Sequence, residues 1–243
     1  MDAFRDWLTA RPIAHRGLHD GNRDVWENTQ PAFDAAVAGG FAIECDVHLT
    51  RDGIPVVFHD HDLKRLAGRE GLVHETDAAA MTAMTVGTTS DHVPTLDAML
   101  ARVAGRVPLV IELKGVEGHD DGLVSAVAAR LAGYGGPAAI MSFDHWLIRR
   151  FRSEAPGIPA GLTAMGVRHD QLEQHFSMLA YEIDFTSFYV DQLDNPFIRV
   201  MRRALNRPVI SWTVRTPEQV ARSEQFADQM TFEGFQPASA TAT

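Results

Sequence analysis

The sequence predicts an α/β fold: a TIM (β/α)8 barrel with a small insertion after strand 2. Three observations carry this. Short apolar runs alternate with helix-like segments nearly from end to end, the pattern of a parallel sheet. Eight such runs fit into 243 residues, which matches the arithmetic of a barrel better than that of a doubly wound sheet. No run is followed by the Gly-x-Gly-x-x-Gly turn or the P-loop of nucleotide-binding open sheets.

In order, the strands are read at Pro12–His15, Phe41–Val47, Pro108–Leu113, Ala138–Ser142, Ile158–Leu162, Phe185–Phe188, Pro208–Trp212 and Gln229–Glu233. A helix opens at Thr29, carries Ala32, Phe33, Ala36 and Val37 at helical spacing, and closes at Gly39-Gly40. Another starts at Thr216, where Pro217 suits the first helical position. Between Thr50 and Val107 the second unit is too long for one crossover. Asp52-Gly53 predicts a hairpin there, and a helix resumes near Thr95, so residues 51–94 read as an insertion over one mouth of the barrel. After Glu233 the Pro-, Ala-, Ser- and Thr-rich end reads as a frayed tail, with the eighth helix missing or replaced by Ala3–Leu8. The whole chain, 1–243, is expected to form one domain.

Composition narrows the function. Lys+Arg 22 against Asp+Glu 32 leaves a net charge of −10, which repels nucleic-acid backbones and anionic membrane surfaces. A small substrate or a bound cation fits better. Cys45 stands alone, so neither an internal disulfide framework nor a cysteine-based zinc cluster is possible, and a reducing, cytoplasmic location is expected. Charges at Asp2, Arg5, Asp6 and Arg11 interrupt any apolar leader, and no run approaches the roughly 20 apolar residues of a membrane span.

In such a barrel the active site lies at the C-terminal strand ends. Strand one ends in His15-Arg16-Gly17, strand two in Glu44-Cys45-Asp46 and strand three in Glu112-Leu113-Lys114. Residues two apart on a strand face one side, so Glu44 and Asp46 project together, as do Glu112 and Lys114. Three carboxylates converging on one mouth repel one another and resist desolvation, so they call for raised pKa values or a cation. An all-oxygen set selects Mg²⁺ or Ca²⁺. The rival is a salt-bridge network with Lys114 and Arg16. His15 and His59 are candidates for acid and base, because imidazole titrates near neutrality. Asn28 or Thr29 reads equally as a helix N-cap, and Trp212 as packing over a substrate or closing the barrel top. Phe143, Phe188 and Phe235 are expected in the core, and Gly161 and Ser211 at packing positions. No serine or cysteine has a histidine suitably close in these motifs, so no protein nucleophile is expected.

The ordered motifs resemble those of the glycerophosphodiester phosphodiesterase family: His15-Arg16-Gly17; Glu27-Asn28-Thr29; Glu44-Cys45-Asp46-Val47 through Thr50, Asp52 and Gly53; His59-Asp60; and Glu112-Leu113-Lys114. The match runs over about residues 12–114, with Pro94-Thr95-Leu96 included. The second half matches mainly through strand rhythm, Ser142-Phe143-Asp144 and Trp212. The resemblance implies a barrel phosphodiesterase whose divalent cation is held at Glu44, Asp46 and Glu112. It also implies His15 and His59 as base and acid, Arg16 and Lys114 on phosphate, and Glu27 as a further site residue. The implied substrate is a small glycerophosphodiester, with no nucleic acid and no stable membrane association. Thr231-Phe232-Glu233-Gly234-Phe235 replaces the Thr-Asp-x-Pro type of ending that the family pattern leads one to expect.

Overall fold

The computed structural model describes residues 3–237; the predicted tail beyond residue 237 lies outside the described residues. Among the described residues there are nine strands: β1 (Ile13–Ala14), β2 (Ala42–Leu49), β3 (Pro55–Val57), β4 (Leu109–Leu113), β5 (Ala138–Ser142), β6 (Ala160–Ala164), β7 (Phe185–Tyr189), β8 (Val209–Val214) and β9 (Gln229–Phe232). All but β3 run parallel, in the order β1-β9-β8-β7-β6-β5-β4-β2. Pairing of β1 with β2 closes the ring, giving the eight-stranded barrel. The β3 strand runs antiparallel along β2 with Leu49 opposite Pro55. The turn between them is the predicted one at Asp52-Gly53, where Gly53 has φ +77°.

The alternation of side chains divides the interior. Ile43, Cys45 and Val47 of β2 and Leu109, Ile111 and Leu113 of β4 face outward, into a layer with Phe33, Ala36, Leu96 and Met99 from helices Gln30–Ala38 and Leu96–Val103. The opposite faces point into the barrel, apolar at the N-terminal end and charged at the other. At the apolar end Ala42, Val110, Ala139, Met141, Phe185 and Ile210 form one buried cluster. A Cβ on Gly161 would lie 2.5 Å from the Phe185 ring, so the absence of a side chain on β6 is what lets the phenylalanine fill the floor.

Helix Ala3–Thr9 differs from expectation. It does not take the place of an eighth outer helix; Leu8 packs on Ile13, Ala42 and Ile210, and the Phe4 ring lies 5.7 Å from that of Phe185. The helix plugs the N-terminal end of the barrel, because that open end presents the apolar surface a short amphipathic helix must bury. Residues 51–94 carry a small core of their own, including Val56, Phe58, Leu66, Met81 and Val86.

Candidate functional site

The two carboxylates of β2 point inward, and the register sets Asp46 opposite Glu112 on β4. Ligand oxygens of Glu44, Asp46 and Glu112 all lie within 4.8 Å of one another, and all three residues are buried. Cys45, between the first two, points the other way, its Sγ 3.5 Å from Met99 Sδ. Lys114 follows β4 and places Nζ 3.0 Å from Asp46 Oδ1, also bonding Glu112 Oε1.

The His-Arg-Gly segment turns sharply as it leaves β1. Arg16 has φ +56° and Gly17 φ +79°, and a Cβ on Gly17 would come within 2.9 Å of Ala32, so that position tolerates only glycine without strain. The turn aims the Arg16 amide at Glu44 Oε2, 3.0 Å away. It also brings the guanidinium to Glu27 Oε1 at 2.7 Å and to Asp46 Oδ2 at 3.3 Å. Asn28 does not cap the helix: its Nδ2 donates to Asp46 Oδ2 at 2.9 Å, and Thr29, at the N-cap position, makes no capping bond with its side chain, its hydroxyl donating back to the Trp26 carbonyl instead.

His59 arrives from β3. The Phe58 amide donates to the Asp46 carbonyl, which carries the chain back over the end of β2. His59 Nδ1 lies 2.7 Å from Asp60 Oδ1, and Arg65 clamps Asp60 through Nε and Nη2, both at 2.7 Å. The same guanidinium forks onto Glu27 at 2.8 and 2.9 Å. On the far side, His15 Nδ1 lies 2.6 Å from Glu233 Oε2, and Arg215 Nη2 holds that carboxylate at 3.0 Å. Each histidine thus has a carboxylate partner backed by an arginine.

Electrostatics separates the carboxylates. Burial, with Asp46 and Glu112 close by, pushes Glu44 well up; burial and Asp46 also raise Glu112 against the pull of Lys114. Burial works in the same sense on Asp46, but Lys114, His59 and Arg16 outweigh it and hold that carboxyl low. Burial lowers both histidines, His15 to about 4 against its bond to Glu233. A trio this buried carries more negative charge than Lys114 and Arg16 balance comfortably, so its oxygens suit a further hard cation.

His15, Arg16, Glu44, Asp46, His59, Glu112, Lys114 and Trp212 line one cavity at the C-terminal strand ends. Glu27 does not: it stands behind Arg16, its oxygens occupied by Arg16, Arg65 and Asn22. Met141, Phe143, Ser187 and Thr231 complete the wall, unforeseen in the sequence reading. Phe143 corrects an expectation, being 37% exposed at the mouth rather than in the core, because it is the residue at which β5 has already ended. Its position directly after an apolar strand was the available signal. Phe188 is fully buried as expected; Gly161 accommodates Phe185, and the Ser211 hydroxyl meets that of Ser223 at 2.7 Å. The hydroxyls of Ser187 and Thr231 are buried without a partner, and neither pairs with a histidine. Arg215 lay outside every motif, and Glu233 fell in the Thr231–Phe235 segment, which the sequence marked only as a departure from the family's ending.

A closed parallel barrel with buried carboxylates, lysine, arginine and two carboxylate-held histidines at its C-terminal mouth is the architecture of a barrel enzyme. Residues 15–232 match the model of the glycerophosphoryl diester phosphodiesterase family, and the chain belongs to that family. It is 30% identical over 226 residues to YhdW of Bacillus subtilis, spanning 86% of this chain and 88% of that protein. It is 31% identical over 162 residues to a glycerophosphodiester phosphodiesterase of Caldanaerobacter subterraneus, spanning 62% of this chain and 65% of that one. Among solved structures, an Oleispira antarctica phosphodiesterase in complex with the product sn-glycerol-3-phosphate shares the fold with a TM-score of 0.79 at 22% identity, covering 91% of this chain and 92% of that chain.

Proposed function

We propose that this enzyme hydrolyses small glycerophosphodiesters to sn-glycerol 3-phosphate and an alcohol, using a divalent cation, Mg²⁺ or Ca²⁺. The observation that carries the reading is the convergence of Glu44, Asp46 and Glu112 beside two histidines, each held by a carboxylate, in a chain of this family. The product bound to the Oleispira antarctica relative supports the same substrate class.

Glu44, Asp46 and Glu112 would hold the cation, which when bound supplies positive charge at the phosphate and acidifies a neighbouring hydroxyl. Arg16 and Lys114 bind the phosphate oxygens from the same wall of the cavity. Glu27 acts behind them, fixing Arg16 from one side and Arg65 from the other. One histidine takes the proton of the glycerol hydroxyl adjacent to the ester, and that oxygen attacks phosphorus as the alcohol leaves with a proton from the other histidine. Water then opens the cyclic phosphate with the proton transfers reversed. The buried thiol of Cys45 and the unpaired Ser187 leave water or the substrate's own hydroxyl as the nucleophile, and the tethered hydroxyl avoids the cost of positioning water. Trp212, its ring 5.2 Å from that of Phe143, packs against the substrate's carbon skeleton. The setting proposed is the cytoplasm, with no nucleic-acid partner and no stable membrane association; no described helix is long and apolar enough to cross a membrane.

A second reading has its own observation. Phe143, Met165 and Val167, on the loops after β5 and β6, and Trp146, in the first turn of helix His145–Glu154, are 37–49% exposed, which would suit an alcohol bearing an acyl chain, as in a lysophospholipid. Release of glycerol 3-phosphate from glycerophosphocholine, with and without added Mg²⁺ or Ca²⁺, tests the main reading. Turnover of lysophospholipid alone would select the second, and turnover of neither would leave a barrel that only binds phosphorylated metabolites.

A further inference from the structure

We infer that Glu233 is a positioning residue for His15: it takes the Nδ1 proton and thereby presents a bare Nε2 to the cavity. The inference rests on the reading of His15 as a proton-transfer group, and its geometry is independent of the sequence motifs. Glu233 follows β9, where its amide donates to the Val214 carbonyl at 3.0 Å, and its Oε2 lies 2.6 Å from His15 Nδ1. A carboxylate can only accept, so the hydrogen of a neutral His15 sits on Nδ1. Nε2 is then the unprotonated nitrogen, and it lies on the cavity side, 4.0 Å from Glu44 Oε2.

One further side chain holds the carboxylate in place and a second stands near it. Arg215 contributes Nη2 at 3.0 Å to Oε2 and Nε at 3.4 Å to Oε1. His19 stands behind, its side chain 5% exposed, with Nε2 4.0 Å from Glu233 Oε2 and no hydrogen-bond partner. His15, His19 and Glu233 bring ligand atoms within 4.8 Å of one another, which invites comparison with a metal site. The hydrogen bonding argues against that. His19 Nδ1 accepts from the Gly21 amide at 3.2 Å, so its proton belongs on Nε2 and no lone pair is directed at the cluster. Glu233 is therefore met by donors alone, the arrangement that orients a catalytic imidazole rather than one that binds a cation. Asp60 and Arg65 stand in the same relation to His59.

The test uses Glu233→Leu, which removes the acceptor at similar volume, and Glu233→Gln, whose amide oxygen can still accept. In long-range ¹H–¹⁵N spectra of the imidazoles, with His15 assigned by its loss in His15→Asn, the wild type shows the Nδ1–H form. Glu233→Leu shifts His15 to the Nε2–H form, and Glu233→Gln keeps it. With glycerophosphocholine, Glu233→Leu lowers kcat by roughly 10- to 10⁴-fold, the span for losing the carboxylate partner of a ligating or catalytic histidine. Its KM stays within about twofold of the wild type, since no substrate contact is lost. Glu233→Gln loses less. Should Glu233→Leu fail to fold, Glu233→Asp, which draws the carboxylate back by one methylene, must show the same kcat-selective loss. An unchanged His15 tautomer in Glu233→Leu, or a KM effect with kcat intact, overturns the inference. Failure of the wild type to hydrolyse the substrate would instead overturn the functional reading, while the spectra would still decide the role of Glu233.

Discussion

Lys114 and Asp46 form an ion pair at 3.0 Å on the wall of the cavity, and Glu112 shares the same ammonium. Glu44 has no lysine partner; it accepts from the Arg16 amide at 3.0 Å and otherwise faces the other carboxylates and His15 Nε2, 4.0 Å away. Lys114 and the Arg16 guanidinium, 3.3 Å from Asp46, thus serve a site with three buried acids, and the imbalance is what makes the trio a cation site in the proposed function. Chelation should abolish turnover, with restoration by Mg²⁺ or Ca²⁺. Asp46→Ala should lose cation binding, measured by calorimetry, together with activity. Full activity in excess chelator would sink the cation's role.

The two histidines should each matter at the scale of proton transfer. His15→Ala and His59→Ala are expected to lower kcat by about 10²–10⁴-fold. Near-normal turnover in both variants would move the acid and base elsewhere.

Glu27 gives a pH dependence of stability. Against the cost of burial, Arg65, Arg16 and Asn22 hold its carboxyl down at about 2, below the ordinary 4.5. A depressed folded value means that the unfolded chain binds the proton more readily, so the stabilisation is present above about pH 4.5 and is lost as pH falls from there through 2. At neutral pH the contribution is about 3 kcal/mol. Glu27→Gln should therefore be less stable than the wild type at pH 7, with the gap shrinking below about pH 4.5 and closing as pH falls through about 2. Denaturant unfolding across that range measures it, and a gap independent of pH would show that Glu27 is not the group responsible.

The nucleophile can be read from the substrate. If the glycerol hydroxyl attacks, glycerophosphoethanolamine should react far faster than its deoxy analogue, because the tethered hydroxyl avoids the cost of positioning water. A transient cyclic phosphate should appear in ³¹P spectra. Equal rates for the two diesters would assign the attack to water.

Much of the fold was readable because its signals are local. Strand and helix alternation, the Asp52-Gly53 hairpin and the caps at Thr95 and Thr216 each depend on a few neighbouring residues; both threonine hydroxyls accept from the amide three positions on. The carboxylate trio was readable for a related reason: two-residue periodicity places Glu44 with Asp46, and Glu112 with Lys114, on shared faces before any packing is known. The placement of helix Ala3–Thr9 was not readable, since its apolar face suits either the outside of a barrel or its open end.

What the chain order alone determined, then, was the barrel and the residues at its strand ends. What only the tertiary structure decided was how those residues are held. Glu233 stands 218 positions from His15, and nothing in either segment announces the other. They meet because β9 pairs with β1, with Ala14 opposite Phe232, so that closure of the ring sets the last strand end beside the first. The same closure makes Phe143 part of a mouth rather than of a core. Side-chain alternation is a property of one strand, whereas a hydrogen bond between the first and last strands exists only once the intervening chain has closed the barrel around its axis.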